Sequence, residues 1–268
     1  MSFLHVLLLG FVQGVTEFLP ISSTAHLRVV PALMGQPDPG AALTAVLQLG
    51  SLVAVIGFFL RELVDMVRAV LDPARRRGPQ ARMLMYMVVG TIPIGILGLA
   101  FKDHIEGPLR SLRVIAVALI VVAVLMAVAD RLASGQRDLN EVRLRDALMI
   151  GAAQALALVP GVSRSGITLV AGMALGLRRD AAARFSFLLS VPAIGAAGVF
   201  ELPDVLRAQG VSKSVLIAGL LAAAVSGYLS IAWLLRYLRS RATTPFVVYR
   251  IALGILLLVG ISLGWWAA

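Results

Sequence analysis

The chain has 268 residues, of which 59% are apolar and 14% charged, with a mean hydropathy of +0.93. Soluble domains carry about 25% charged residues, so a water-soluble enzyme is excluded and lipid is the solvent for most of the chain. There is no cysteine, and the three histidines, His5, His26 and His104, have no metal-ligand spacing, which removes disulfides, thiolate chemistry and a zinc site.

In chain order, the first apolar run, residues 2–34, breaks at Pro20-Ile21-Ser22-Ser23. Each half falls short of the about 20 residues that a bilayer crossing needs, so the run predicts a re-entrant helix–loop–helix hairpin. It has no basic leader and no A-x-A site, which argues against a signal peptide. Spans follow at 41–60, 83–101 and 112–129. A second interrupted run, residues 144–176, breaks at Pro160-Gly161-Val162-Ser163-Arg164-Ser165 and predicts a second hairpin. Spans at 185–200, 214–235 and 246–266 complete the pattern. The expected fold is an all-α integral membrane protein, a single membrane domain over 1–268 with six transmembrane helices and two re-entrant hairpins.

The net charge of +10 is distributed by side. Of 24 Lys and Arg, 16 lie in segments 61–82, 130–146, 177–184 and 236–242, and 5 lie in 35–40, 102–113 and 201–213. The first set is therefore assigned to the cytoplasm and both termini to the outside. Basic charge is a topology signal here, and nucleic acid is not an expected partner. In this orientation the first hairpin enters from outside and the second from the cytoplasm, so their tips meet near the midplane as in an inverted-topology repeat. Its halves are expected at about 1–110 and 140–268. Gly10, Gln13 and Ser22 recur as Gly151, Gln154 and Ser163 at an offset of 141, and Ser51 and Glu62 recur as Ser190 and Glu201 at 139, which supports the repeat.

A charge in lipid costs a few kcal/mol, so the ionisable residues that no loop can claim point to function. Of fourteen Asp and Glu only Glu17 lies well inside an apolar stretch, while Arg164 sits at the second break and His26 just past the first. Arg28 and Arg250 lie near span ends and are expected to snorkel to the headgroups. Gln13, four residues before Glu17, shares its helix face. Ser22 or Ser23 can cap the helix that follows the first break and leave N–H groups facing it; His26 lies on the same face. Ser22 and Thr24 serve equally well as caps or interhelical hydrogen bonds.

At the second break, Ser163-Arg164-Ser165 opens a half-helix whose N-terminus favours an anion. The Arg164 fork suits phosphate, and Thr168 can point the same way. A diphosphate with a hydrocarbon tail left in lipid fits two converging anion sites. For phosphoryl transfer, Arg164 and backbone donors would stabilise the equatorial oxygens, and Ser22, Ser23 or a bound water would attack. Glu17 would hold a cation or act as base, and His26 would orient or activate a hydroxyl. No G-x-S-x-G, P-loop or H-E-x-x-H motif occurs, so serine-esterase, nucleotidase and zinc-protease readings lose their support.

The segments Gln13-Gly14-Val15-Thr16-Glu17-Phe18-Leu19-Pro20-Ile21-Ser22-Ser23-Thr24-Ala25-His26, Gln48-Leu49-Gly50-Ser51 and Pro160-Gly161-Val162-Ser163-Arg164-Ser165-Gly166-Ile167-Thr168 resemble the BacA-type undecaprenyl-diphosphate phosphatases, bacterial membrane enzymes associated with bacitracin resistance. The resemblance implies removal of one phosphate from undecaprenyl diphosphate at the outer face of the cytoplasmic membrane. It further implies Mg²⁺ or Ca²⁺ support and recycling of the carrier lipid of peptidoglycan synthesis. It carries catalytic roles onto Glu17, Ser23, His26 and Arg164, substrate binding onto Ser22, Thr24, Ser163, Ser165 and Thr168, and metal binding onto Glu17 and Gln13. Many members have Glu where this chain has Gln13, which removes a charge from that metal site. Ser23 is the expected nucleophile, assisted by His26 or Glu17, with direct attack by water as the alternative. The expected partners are the lipid substrate, the bilayer and at most a second copy. A prenyl-phosphate flippase would use the same midplane anion site; Glu17 near Ser23 and His26 favours the enzyme, because transport needs no activated nucleophile.

Overall fold

The computed structural model describes residues 2–132, 135–207 and 212–266. Among them the chain forms α-helices and connecting turns and no β-strand. The first interrupted run is α1 (Phe3–Phe18) and α2 (Ser23–Leu33), followed by α3 (Gly40–Phe58) and α4 (Leu60–Leu71). Then come α5 (Pro79–Ala100), the short α6 (Lys102–Glu106) and α7 (Leu112–Leu132). The second interrupted run is α8 (Leu144–Ala155) and α9 (Arg164–Ala174), and α10 (Arg179–Arg207), α11 (Lys213–Leu238) and α12 (Thr244–Ser262) follow. Among the described residues five helices are long and apolar enough to cross a membrane, and α3 with α4 brings the number to six if that bent pair is one span. The protein is a multi-pass helical membrane protein with the expected spans.

One segment departs from the reading of the sequence. The span expected at 41–60 ends at Phe59, and α4 leaves it at 77° inside what the charges mark as a loop. Its apolar residues recur at helical spacing, burying Met66 and Ala69 and exposing Val64, Val67 and Leu71, the pattern of a helix lying in an interface. Arg184 of α10 fixes the bend: its Nη2 lies 2.6 Å from Glu62 Oε1, and its guanidinium stacks 5.5 Å from the centre of the Phe59 ring.

Helix packing is crossed between the two runs. The helix α1 packs on α11, and α8 packs on α5. Without a hydrophobic driving force between helices in lipid, close backbone approach supplies the attraction, and glycine permits it at both crossings. A Cβ on Gly10 would lie 2.1 Å from the Gly219 carbonyl oxygen, and one on Gly151 would lie 2.3 Å from that of Gly90. These are the first pair of the 141-residue offset, which gives that identity a packing reason. Between the crossings lies a shared core in which Phe18 meets Phe187 edge to face at 5.3 Å. At the arginine-rich end, Arg137 holds Asp146 at 2.5 Å and the carbonyls of Leu175 and Glu141 at 2.8 and 2.7 Å, while Asp130 joins Arg179 to the Thr243 N–H. Charged contacts thus tie the entry of the second hairpin to the span ends around it.

Gly10→Ala and Gly151→Ala should each lower stability in detergent by about 1–3 kcal/mol through overpacking. Gly57→Ala, where a Cβ meets nothing within 4 Å, should not. Thermal unfolding midpoints of the three variants check this.

Candidate active site

Each break is organised by a serine in an unusual backbone conformation. Ser22 (φ 75°) and Ser163 (φ 72°) are the two positive-φ residues other than glycine among the described residues. Both are N-caps: Ser22 Oγ accepts from the Ala25 N–H at 3.3 Å and Ser163 Oγ from the Gly166 N–H at 3.1 Å. A non-glycine residue persists in this region only where its surroundings over-determine it. The caps leave the N–H groups of Ser23 and Thr24, and of Arg164 and Ser165, without an acceptor among the described residues.

Arg250 supplies the over-determination. It does not snorkel as the sequence predicts; it is fully buried. From α12 its Nη1 donates to the Pro20 carbonyl at 3.0 Å, and its Nη2 reaches the carbonyls of Gly161 and Val162 at 3.0 and 3.1 Å. Nε donates to Leu119 O at 3.1 Å, and Nη2 also approaches Ala118 O at 3.3 Å. Interrupting a helix frees carbonyls that lipid cannot hydrate, and one guanidinium with five donors serves both breaks at once.

The two tips meet at Glu17. Its Oε2 accepts from Ser23 Oγ at 2.6 Å and from Gln13 Nε2 at 2.7 Å, and its Oε1 accepts from Arg164 Nη2 at 2.7 Å. A carboxylate of the first hairpin is thereby joined to a cation of the second. Arg164 Nη1 and Gln13 Oε1 are buried with no partner. Glu17, Ser22, Ser23, Thr24, Ser163 and Arg164 line a cavity of about 230 Å³, together with Gln48 of α3 and Arg110. It adjoins an apolar groove of about 390 Å³ between α5 and α10, and Ala45, Ile94, Ile105, Leu158, Ala193 and Ala197 wall both.

The other candidates stand behind this wall. Gln13 is fully buried, with Ser51 Oγ at 3.5 Å from its amide nitrogen. Ser165 Oγ donates to the Leu19 carbonyl and lies 3.1 Å from Ser163 Oγ. Because Leu19 O can only accept, the chain runs from Gly166 N–H through Ser163 and Ser165 to the first hairpin. Thr168 Oγ1 donates to Arg164 O at 2.7 Å and pairs with Ser186 Oγ at 2.6 Å. His26 Nδ1 lies 2.7 Å from the Ser22 carbonyl and therefore carries a hydrogen, while Nε2 lies 2.5 Å from the Tyr249 hydroxyl. The imidazole stacks on Tyr249 with ring centres 5.6 Å apart; both its nitrogens are engaged away from Ser23.

Tyr249 and Arg110 belong to this constellation without having stood out in the sequence, and Arg250 joins it against the expectation that it snorkels. A cation and a phenol adjacent in an otherwise apolar span are the one local signal for Tyr249 and Arg250. No group of three or more His, Cys, Asp or Glu able to enclose a metal occurs among the described residues. The arrangement presents one carboxylate bonded to a hydroxyl, beside an arginine with a spare donor and unpaired helix N–H groups. Such a set binds a phosphoryl group and can activate a nucleophile toward it.

Arg250→Lys retains the charge and loses the fork that reaches both breaks. Loss of several buried charged hydrogen bonds should lower stability by about 3 kcal/mol or more, read as a fall in the thermal unfolding midpoint.

A family model described as bacitracin resistance protein BacA matches residues 6–256. A protein of Myxococcus xanthus named undecaprenyl-diphosphatase is 52% identical over 98% of this chain and 91% of its own length. One of Chlorobium phaeovibrioides with the same name is 48% identical over 98% of this chain and 99% of its own. The undecaprenyl-diphosphatase 2 of Streptomyces coelicolor is 45% identical over 98% and 96% of the two chains.

Proposed function

The chain belongs to the BacA family, and from that premise we propose that the cavity between its two hairpins hydrolyses undecaprenyl diphosphate to undecaprenyl phosphate and inorganic phosphate. The observation that carries this reading is the Ser23 Oγ–Glu17 Oε2 hydrogen bond of 2.6 Å beside the buried, unpartnered Nη1 of Arg164. The diphosphate occupies the polar cavity, and the first isoprene units lie in the apolar groove that shares its walls. A lipid substrate with a charged head needs both compartments in contact. A flippase would need the anion site and the groove but not a hydroxyl held on a carboxylate, and the relatives compared carry the name of a phosphatase.

In this reading one phosphoryl group docks on Arg164 Nη1 and the free N–H groups of Ser23, Thr24, Arg164 and Ser165. Ser23 Oγ attacks phosphorus as its proton passes to Glu17 Oε2. The bond from that phosphorus to the bridging oxygen breaks, and undecaprenyl phosphate leaves. The undecaprenyl phosphate carries away the proton that Glu17 accepted, so the carboxylate is free again; water then gives a proton to Glu17 as it cleaves the phosphoserine, and Glu17 passes that proton to Ser23 Oγ as phosphate departs. His26 is a positioning residue, holding the Ser22 carbonyl and so the turn that aims Ser23. Every group comes from one chain, so a second copy is not required.

A divalent cation fits as an ion shared with substrate. Glu17 provides a carboxylate and Gln13 Oε1 is an orphaned buried acceptor, and Mg²⁺ is commonly held by one or two protein oxygens plus phosphate oxygens and water. Mg²⁺ or Ca²⁺ held there would neutralise charge on the phosphates. The cavity opens outward, with both termini outside: its wall includes Ile105 and Arg110 of segment 102–113, away from the arginine-rich loops that face the cytoplasm. The halves 1–110 and 140–268 form an inverted repeat, supported by crossed packing of α1 on α11 and α8 on α5.

Purified protein in detergent should release phosphate from undecaprenyl diphosphate with Mg²⁺ or Ca²⁺ and not with chelator. Arg164→Ala should lower kcat by about 10²–10³, and Glu17→Ala and Ser23→Ala should abolish release. Full activity in a folded Arg164→Ala would remove this residue from the site. Gln13→Glu should raise apparent ion affinity, read from the metal dependence of the same assay; an unchanged dependence would place the ion elsewhere.

A further inference from the structure

We propose that Arg110 is a second phosphate-recognising residue of this cavity, holding the phosphoryl group that Arg164 does not. This deepens the hydrolase reading and rests on it. Arg110 closes the single 3₁₀ turn Pro108–Arg110 ahead of α7. Its side chain is 12% exposed and lines the cavity that contains Glu17, Ser23 and Arg164. Arg110 and Arg164 are the two cations that line it among the described residues.

The charges on the wall leave a vacancy of purpose. Glu17 and Arg164 cancel each other, whereas Arg110 and Arg28 share the single carboxylate of Asp38 and leave one positive charge over; a diphosphate carries more negative charge than one arginine can match. Arg110 is presented by Asp38, which lies outside the cavity lining: Oδ1 accepts from Nη2 at 2.8 Å, and Oδ2 accepts from Nη2 and Nε at 3.0 and 3.2 Å. Nη1 has no acceptor among the described residues. Asp38 Oδ2 also lies 3.5 Å from Arg28 Nε. A phosphate can therefore draw Arg110 away without stranding Asp38, because Arg28 keeps the carboxylate paired. An arginine fork exchanges a carboxylate for a phosphate with the same bidentate geometry.

The test uses the full-length protein in detergent, with steady-state hydrolysis of undecaprenyl diphosphate, inhibition by methylenediphosphonate and by orthophosphate, and thermal stabilisation by each. Arg110→Gln should raise KM and the inhibition constant of methylenediphosphonate by about tenfold or more, as expected for loss of a charged hydrogen bond. It should leave kcat within about threefold and leave inhibition by orthophosphate unchanged. Arg110→Lys, which keeps the charge and can still meet Asp38, should fall between wild type and Arg110→Gln, and it carries the test if the glutamine variant does not fold. Asp38→Asn should bind diphosphate as well as wild type or better, since it releases the fork. Unchanged KM and diphosphonate inhibition in the arginine variants would overturn the proposal. An Asp38→Asn defect equal to that of Arg110→Gln would overturn it too, by showing that the ion pair matters only as a loop tether. An active wild type with indifferent Arg110 variants defeats this inference alone. A wild type that releases no phosphate defeats the hydrolase reading, and thermal stabilisation by methylenediphosphonate then decides directly whether Arg110 binds the anion.

Discussion

A helix stopped inside a bilayer leaves carbonyl groups that neither lipid nor the next turn can satisfy, and this protein stops two. The buried Arg250 resolves both by donating to Pro20, Gly161 and Val162 from a third direction. Its placement fixes more than hydrogen-bond balance. With the carbonyls pinned, the serine after each break is held at positive φ, and the N-termini of α2 and α9 turn their free N–H groups inward. Burying a guanidinium is costly when it is unpaired; here it is ringed by carbonyl dipoles, so the penalty of the cation and that of the broken helices offset one another. The free N–H groups at the tips follow from how the breaks are made tolerable.

The two hairpins are built alike but furnished differently. At the offset of 141 residues, Ser22 corresponds to Ser163 and both cap their helices with the same backbone geometry. Ser23, however, corresponds to Arg164, and Glu17 to Leu158. One tip therefore supplies the acid and the hydroxyl, and the other supplies the cation. Leu158, in the place of a second carboxylate, walls both the polar cavity and the apolar groove. Two carboxylates facing one phosphate would repel it. Leucine at this position avoids that repulsion, and in the proposed reading it gives the hydrocarbon chain a surface where it meets the head group.

How much was legible in the sequence depends on how far each constraint reaches. The spans could be read because the bilayer sets a length, and the hairpins because Pro, Gly and Ser interrupt an apolar run at positions too short to cross. Glu17 and Arg164 could be read because a charge deep in an apolar stretch demands a reason. Arg250 was misread, because snorkelling and burial leave the same local pattern and the carbonyls that decide between them lie 88 to 230 residues away. The spacing puts His26 on the face of Ser22 and Ser23, yet its partner Tyr249 lies 223 residues distant, and both imidazole nitrogens are engaged away from Ser23. The six arginines of segment 61–82 mark it as a loop and mask the helical spacing of the apolar residues that form α4. Arg110 sits in a polar turn where one more basic residue carries no signal.

The contact between Glu17 and Arg164 joins these threads. A nearly buried ion pair contributes little net stability, since desolvation consumes much of the Coulombic gain. Its value lies in what it leaves open: with both Glu17 oxygens occupied, Arg164 keeps Nη1 unpaired and the neighbouring Gln13 keeps Oε1 unpaired. Such a cluster is stable enough to be ordered and unsatisfied enough to gain from an anion carrying its own oxygens. A phosphoryl group entering here adds acceptors where donors are in surplus and displaces nothing that the fold requires, because the breaks themselves are held by Arg250 and not by the site. The cation that holds the breaks is thus separate from those that line the cavity, which in the proposed reading leaves the latter free to change partners during turnover.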